Sequence, residues 1–173
     1  EISYGAFVPG ENTITVSYKG KSTTFSVTIF PNQITSSRYT IDNTDGKISR
    51  IGANTSLSTL IDSLDQPDCI IARNSFGEQV SPSTVIGTGM QIVLLRGSYT
   101  LQTLTTVVTG DINGDGNTTI TDMLSIKSML LGRQQLTGVY AQAADTNGDG
   151  GVSITDFIQM KAAILGKDRI TPR

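Results

Sequence analysis

The chain has 173 residues, a net charge of −2, no histidine, no tryptophan and one cysteine. That length suits one to three small domains; a single cysteine excludes an internal disulfide, the missing histidine removes the usual general base and argues against zinc, and no basic surplus marks a nucleic-acid binder. No apolar run approaches membrane-spanning length.

The first 108 residues are rich in Thr, Ser, Val and Ile with frequent turn residues, a composition that favours strands. Two alternating runs flank Lys19-Gly20-Lys21 and read as a β-hairpin. They are similar to the closing strands of bacterial immunoglobulin-like domains. Thirty residues do not make that sandwich, so residues 1–31 are either the end of such a domain or strands added to the next module's sheet.

Residues 32–108 read as an α+β module. Residues 39–42 and Lys47–Ile51 are expected to pair across Asn43-Thr-Asp45-Gly46. A helix is expected over 56–64, capped by Asn54 or Thr55, with Leu57, Leu60, Ile61 and Leu64 on one face. Residues 68–72, 91–95 and Tyr99–Val108 read as strands, the last two joined at Arg96-Gly97-Ser98. Cys69, inside Cys-Ile-Ile-Ala, reads as a packing residue rather than a nucleophile. Asp62 and Asp65 read as solvated helix surface rather than a catalytic carboxylate pair. The segment resembles the small X module that often precedes the family named below.

Two copies of one pattern follow, 34 residues apart: Asp111-Ile-Asn113-Gly-Asp115-Gly116 through Asp122, and Asp145-Thr-Asn147-Gly-Asp149-Gly150 through Asp156. Each places oxygen side chains at loop positions 1, 3, 5 and 12 and a glycine at position 6, where the chain must turn sharply. The expected ligands of the first loop are Asp111, Asn113, Asp115, the Asn117 carbonyl, Thr119 and Asp122. Those of the second are Asp145, Asn147, Asp149, the Gly151 carbonyl, Ser153 and Asp156. An all-oxygen shell in a flexible loop suits Ca²⁺, one ion per loop; Mg²⁺ prefers a rigid octahedron and keeps its waters. Position 12 is Asp in both copies, where the common loop has a bidentate Glu.

The likeness runs beyond the loops: between residues 111–133 and 145–167, 11 of 23 aligned residues are identical. Each copy reads as loop, helix, then Gly132 or Gly166 as a C-terminal stop. Asp122 and Asp156 are placed to cap those helices. Met123, Ile126 and Leu130, and Phe157, Met160 and Ile164, form the stripes expected to pack the two helices together. A second stripe of small and aliphatic residues, with Thr121, Leu124 and Ser128 in one copy and Thr155, Ile158 and Ala162 in the other, carries too little charge for a purely solvated face and suits a flat protein contact.

Residues 109–173 resemble a type I dockerin, the module that plugs bacterial extracellular proteins into cohesin domains. The resemblance rests on the duplicated loops, on a strand rather than a helix before the first loop (101–108), and on Lys127 and Lys161 at position 17 of each repeat. It implies a calcium-dependent, non-catalytic docking module that anchors a secreted protein to a cohesin of a scaffoldin or cell-surface protein, with an extracellular location and a role in polysaccharide-degrading, cellulosome-like assemblies. It also implies that positions 10 and 11, Ile120-Thr121 and Ile154-Thr155, help set partner choice. Ser128 and Ala162 stand where the family often has a basic residue. Near-identical halves imply a pseudo-twofold axis and two ways of presenting the same residues to one partner. The fold class expected is a multidomain chain with an all-α duplicated EF-hand-like C-terminal domain and a β-rich, α+β module upstream. Residues 140–144 are expected to form a short connecting helix.

Two other functions fit the residues. A carbohydrate-binding module is disfavoured by the scarcity of aromatic rings, 6% of residues. A calcium-stiffened spacer leaves the repeated Ile-Thr pairs unexplained.

Overall fold

Lys19 and Gly20 both adopt positive φ (48° and 77°), the geometry of a tight hairpin turn matched to strand twist. Strands β2 (Gly10–Tyr18) and β3 (Lys21–Ile29) pair across it, and β1 (Ile2–Ser3) adds to β2. The three make a sheet of their own within a first compact unit, Glu1–Gln33; a second unit spans Ile34–Arg173. The computed structural model describes residues 2–3 and 10–171. Pro9, at the start of the first expected run, lies outside them.

The second unit begins with a five-stranded sheet in the order β4-β5-β8-β7-β6. β4 (Thr40–Asp42) and β5 (Lys47–Ile51) pair as expected; β6 is Ile70–Arg73, β7 Gln91–Arg96 and β8 Tyr99–Val108. β5 and β8 run parallel and the other pairs antiparallel. A register shift in β5, with Arg50 at φ 65°, turns both Ile48 and Ile51 into the core. Such a bulge breaks strict alternation. Helix α1 (Leu57–Ile61) is shorter than expected and is capped by Ser56, whose hydroxyl accepts from the Thr59 N–H at 3.3 Å, not by Asn54 or Thr55. Residues 68 and 69, the expected start of a strand over 68–72, belong instead to a single 3-10 turn, Pro67–Cys69, opened by Pro67. Leu57 and Leu60 pack with Ile34, Ile48, Ile92 and Leu104 in the sheet core.

The helical part contains α2 (Ile120–Leu130), α3 (Gly138–Ala144) and α4 (Ile154–Ile164). α2 and α4 pack on each other around Ile112, Ile126, Ala144 and Met160, with Met123, Phe157 and Ile164 at the edge. Leu130 does not join this core and is exposed. Gly132 and Gly166 take φ 68° just past the helix ends, the left-handed conformation of a glycine stop.

The expected multidomain architecture with an all-α C-terminal domain is corrected here. The helices and the five-stranded sheet belong to one mixed α and β unit. The reason is continuity: β8 runs directly into the first loop, and residues 106–112 are all buried. α3 lies against β8, where the Gly110 N–H donates to the Ala143 carbonyl at 2.8 Å. Val93 and Val107, pleated opposite to the main core, are buried as well.

Candidate metal centre

Each loop winds around its first aspartate. The Asp111 Oδ1 accepts from the backbone N–H groups of Gly114 (2.8 Å) and Asp115 (3.0 Å), and Oδ2 from Gly116 (3.0 Å). Asp145 accepts from Gly148, Asp149 and Gly150 in the same pattern. These turns need left-handed residues, and Gly114, Gly116, Gly148 and Gly150 all have positive φ. Asn113 and Asn147 repeat each other too: Oδ1 accepts from the N–H two residues on, and Nδ2 donates to the position-5 carboxylate at 2.8 Å.

The last residue of each loop closes it. Asp122 Oδ1 accepts from the N–H of Ile112 (2.8 Å) and Asn113 (3.1 Å), and Oδ2 from the N–H of Thr119 (2.9 Å). Asp156 accepts from Asn147 and Ser153. Thr119 and Ser153 are the N-caps of α2 and α4, and Asp122 and Asp156 are the third-position partners of two capping boxes. The expected capping role of the two aspartates is therefore corrected: the caps are three residues earlier. The Thr119-x-x-Asp122 and Ser153-x-x-Asp156 spacing carried that signal. Both hydroxyls placed at loop position 9 are committed to this cap, each donating to its own aspartate.

Asp111, Asp122 and Asp156 are fully buried, and the only ion pair among the described residues is Lys47–Asp45. Burial is the main influence on the Asp111 carboxyl and pushes it above its ordinary value. N–H donors from Thr88, Gly116 and Gly114 oppose this, and the nearby Asp122 adds to the rise. In the metal-free loop that shift favours folding in acid, an advantage lost as pH climbs from about 3.8 through the raised value. Burial also acts upward on Asp115, but hydrogen bonds from Asn113 and Asn117 outweigh it and hold its carboxyl below the usual range.

Among the described residues no three His, Cys, Asp or Glu side chains form a group that could hold a metal ion. Part of the expected donor set is of other kinds: Asn amides, main-chain carbonyls and hydroxyls. The Asp carboxylates meanwhile turn toward backbone N–H groups. The oxygen-only chemistry and the buried carboxylates without cationic partners nonetheless fit a hard divalent ion.

The two loops differ in their surroundings. The N–H of Thr88 donates to Asp111 Oδ2 at 2.7 Å, and that of Asn54 to the Gly116 carbonyl at 2.8 Å. Sequence reasoning missed both, because the partners lie far apart along the chain.

The helix faces follow the repeat. Ile120, Leu124, Ile154 and Ile158 are about half exposed (57%, 47%, 59% and 58%). Thr121, Thr155, Lys127 and Lys161 are exposed beside them, and Ser128 and Ala162 are half-buried. Four apolar side chains at matched positions therefore stand in solvent.

Residues 109–165 match the family model of the dockerin type I domain. Dockerin domains are non-catalytic, bind calcium and dock onto cohesins, and the proteins that bear them are usually extracellular. The dockerin match covers both loops and all three helices α2 to α4. It does not reach the five-stranded sheet or the first unit, so the X-like and immunoglobulin-like resemblances stand apart from it. No curated protein and no solved structure matches the chain. No helix among the described residues is long and apolar enough to cross a membrane.

Proposed function

We propose that the dockerin segment holds two calcium ions, one per loop, and thereby fixes α2 and α4 as a face for a cohesin of a scaffoldin or cell-surface protein. The ligands are the oxygens of Asp111, Asn113, Asp115, Asn117 and Asp122, and of Asp145, Asn147, Asp149, Gly151 and Asp156. Thr119 and Ser153 contribute by holding the twelfth-position aspartates in place. Calcium supplies the positive charge that the loop carboxylates otherwise lack, so that its binding free energy adds to folding free energy. The protein carrying this segment is thereby anchored outside the cell in a cellulosome-like assembly.

The observation that carries this reading is the matched pair of exposed aliphatic steps, Ile120/Leu124 and Ile154/Ile158. Apolar side chains at equivalent positions of two repeats suit a partner contact better than a spacer. They also support two related binding orientations. Ser125/Gln159 and Met129/Ala163 differ between the repeats, so the orientations are not equivalent in every contact.

The test uses Ile120→Asp, Ile154→Asp and the double variant, titrated with a panel of cohesins in calcium. Burying an unpaired charge in place of an aliphatic side chain costs about 3 kcal/mol or more, roughly a hundredfold in affinity. Each single variant is expected to keep binding through the other repeat, and the double variant to lose it. Unchanged affinity in the double variant contradicts the proposed face; loss with one single variant alone contradicts the paired orientations.

A further inference from the structure

The two loops share eight of their twelve residues, yet the first is in close contact with the approach to β7, whereas Asp145, Gly148 and Gly150 of the second face Ser49, Arg50 and Val107 across a pocket. Residues 85–89, the approach to β7, press against it so closely that three glycines are sterically required. A Cβ on Gly87 would lie 2.0 Å from the Gly114 carbonyl oxygen. One on Gly116 would lie 2.8 Å from the Ile86 carbonyl oxygen, and one on Gly114 2.8 Å from that of Thr88. In the second loop a Cβ on Gly150 or Gly151 would meet nothing within 4 Å.

The segment that presses on the loop is itself anchored. Ile86 donates to the Thr55 carbonyl at 2.8 Å, and the Thr106 hydroxyl donates to the Gly87 carbonyl at 2.6 Å. The Thr88 hydroxyl accepts from the Val108 N–H at 3.0 Å. From this support the Thr88 N–H reaches the carboxylate of Asp111. Asp145 holds the equivalent place in the second loop and is half-buried, with its recorded N–H donors all from its own loop.

We infer that residues 85–89 are a positioning element for the first calcium loop, with Gly87 and Thr88 as its positioning residues, and that the chain therefore carries two unequal calcium sites. This rests on the calcium reading above. A ligand carboxylate already oriented by a rigid neighbour loses less freedom when it binds, so preorganisation raises affinity. Loop rigidity is also one of the features that tunes calcium affinity over decades. The first loop is the tighter site. The second takes up calcium at higher concentration, so α4 is the helix whose order follows the calcium level.

Calorimetric titration of the full, metal-stripped chain with CaCl₂ tests this. Asp149→Ala silences the second loop and Asp115→Ala the first. The site left by Asp149→Ala is expected to bind about tenfold more tightly than the site left by Asp115→Ala. Adding Gly87→Ala is expected to weaken the first-loop site by about tenfold and to leave the second-loop site within about twofold. Equal affinities in the two single-loop variants, or the same Gly87→Ala effect on both, overturn the inference. A readout that needs no variant is the Thr88 amide resonance of the unmodified chain. It is expected to shift with the first equivalent of calcium, together with that of Gly116. A Thr88 resonance that stays in place while Gly116 moves overturns the inference. A chain that takes up no calcium overturns the calcium reading itself, an outcome distinct from uptake by two equal sites.

Discussion

Excess chelator is expected to remove most of the helical signal of the chain while leaving the five-stranded sheet folded. α2 and α4 contribute 11 helical residues each, against 7 in α3 and 5 in α1, so their loss dominates far-ultraviolet circular dichroism. The physical reason is the small core between them. Only Ile112, Ile126, Ala144 and Met160 are fully packed there, and one of these is an alanine. Domains with so little apolar burial commonly depend on a metal or a disulfide, and Cys69 has no second cysteine to pair with. Each loop also carries three aspartates with no cationic partner among the described residues, and Asp122 acts on Asp111 as a like charge. The sheet core is separate, with Ile48, Ile92, Leu94 and Leu104 at zero or near-zero exposure and no carboxylate at its centre. Amide exchange at Ile92, Leu94 and Leu104 is therefore expected to stay slow in chelator. Helix content that is the same with and without calcium contradicts this account.

Asp122→Ala is expected to be the most damaging single substitution in the loops. Its carboxylate accepts three backbone N–H groups, from Ile112, Asn113 and Thr119, as well as the Thr119 hydroxyl. Alanine strands those donors at a fully buried position. At about 1 kcal/mol per orphaned donor, the cost of those lost bonds in the calcium-held fold is about 3 kcal/mol. The loaded protein loses a ligand in addition. Asp156→Ala is the internal comparison: Asp156 accepts two backbone N–H groups, from Asn147 and Ser153, beside the hydroxyls of Ser153 and of Thr146, the latter with a second acceptor in Gln159, while the Thr146 N–H donates elsewhere, to the Ala144 carbonyl. A smaller loss, about 2 kcal/mol, follows from the two donors. Denaturant unfolding of both variants in calcium checks the order. A loss for Asp122→Ala within about 0.5 kcal/mol of zero, the range of an ordinary surface change, contradicts the closing role given to this residue.

What the sequence disclosed was the local part of the structure. The loop spacing, the hairpin at Lys19-Gly20 and the 99–108 strand depend on residues within a turn or on simple alternation, and each lies where it was read. The loop-closing role of Asp122 and Asp156 was partly legible. The capping-box spacing is present, but a carboxylate near a helix start suits the cap itself as well as the third-position partner of Thr119 or Ser153, and residue type alone does not separate the two. Asn54 and Thr55 are both of a type that suits a helix cap, but the Asn54 backbone sits at φ 62° and its N–H bonds to Gly116. Leu130 shares the helical period of Ile126 yet is exposed, because periodicity names a face and not how far the opposing helix covers it. The packing of residues 85–89 on the first loop is not legible in the sequence: Gly87 and Thr88 carry no motif and are brought there by the pairing of β7 with β8 and by bonds to Thr55 and Thr106.

The central claim is that calcium-held helices form a cohesin-binding face, and calorimetric titration of a cohesin panel against the intact chain tests it most directly. In calcium, at least one cohesin is expected to bind saturably at one-to-one stoichiometry, and the same titration in excess chelator is expected to give no binding heat. Binding that is equal in calcium and in chelator, or no binding by any cohesin to the calcium-loaded chain, contradicts the claim.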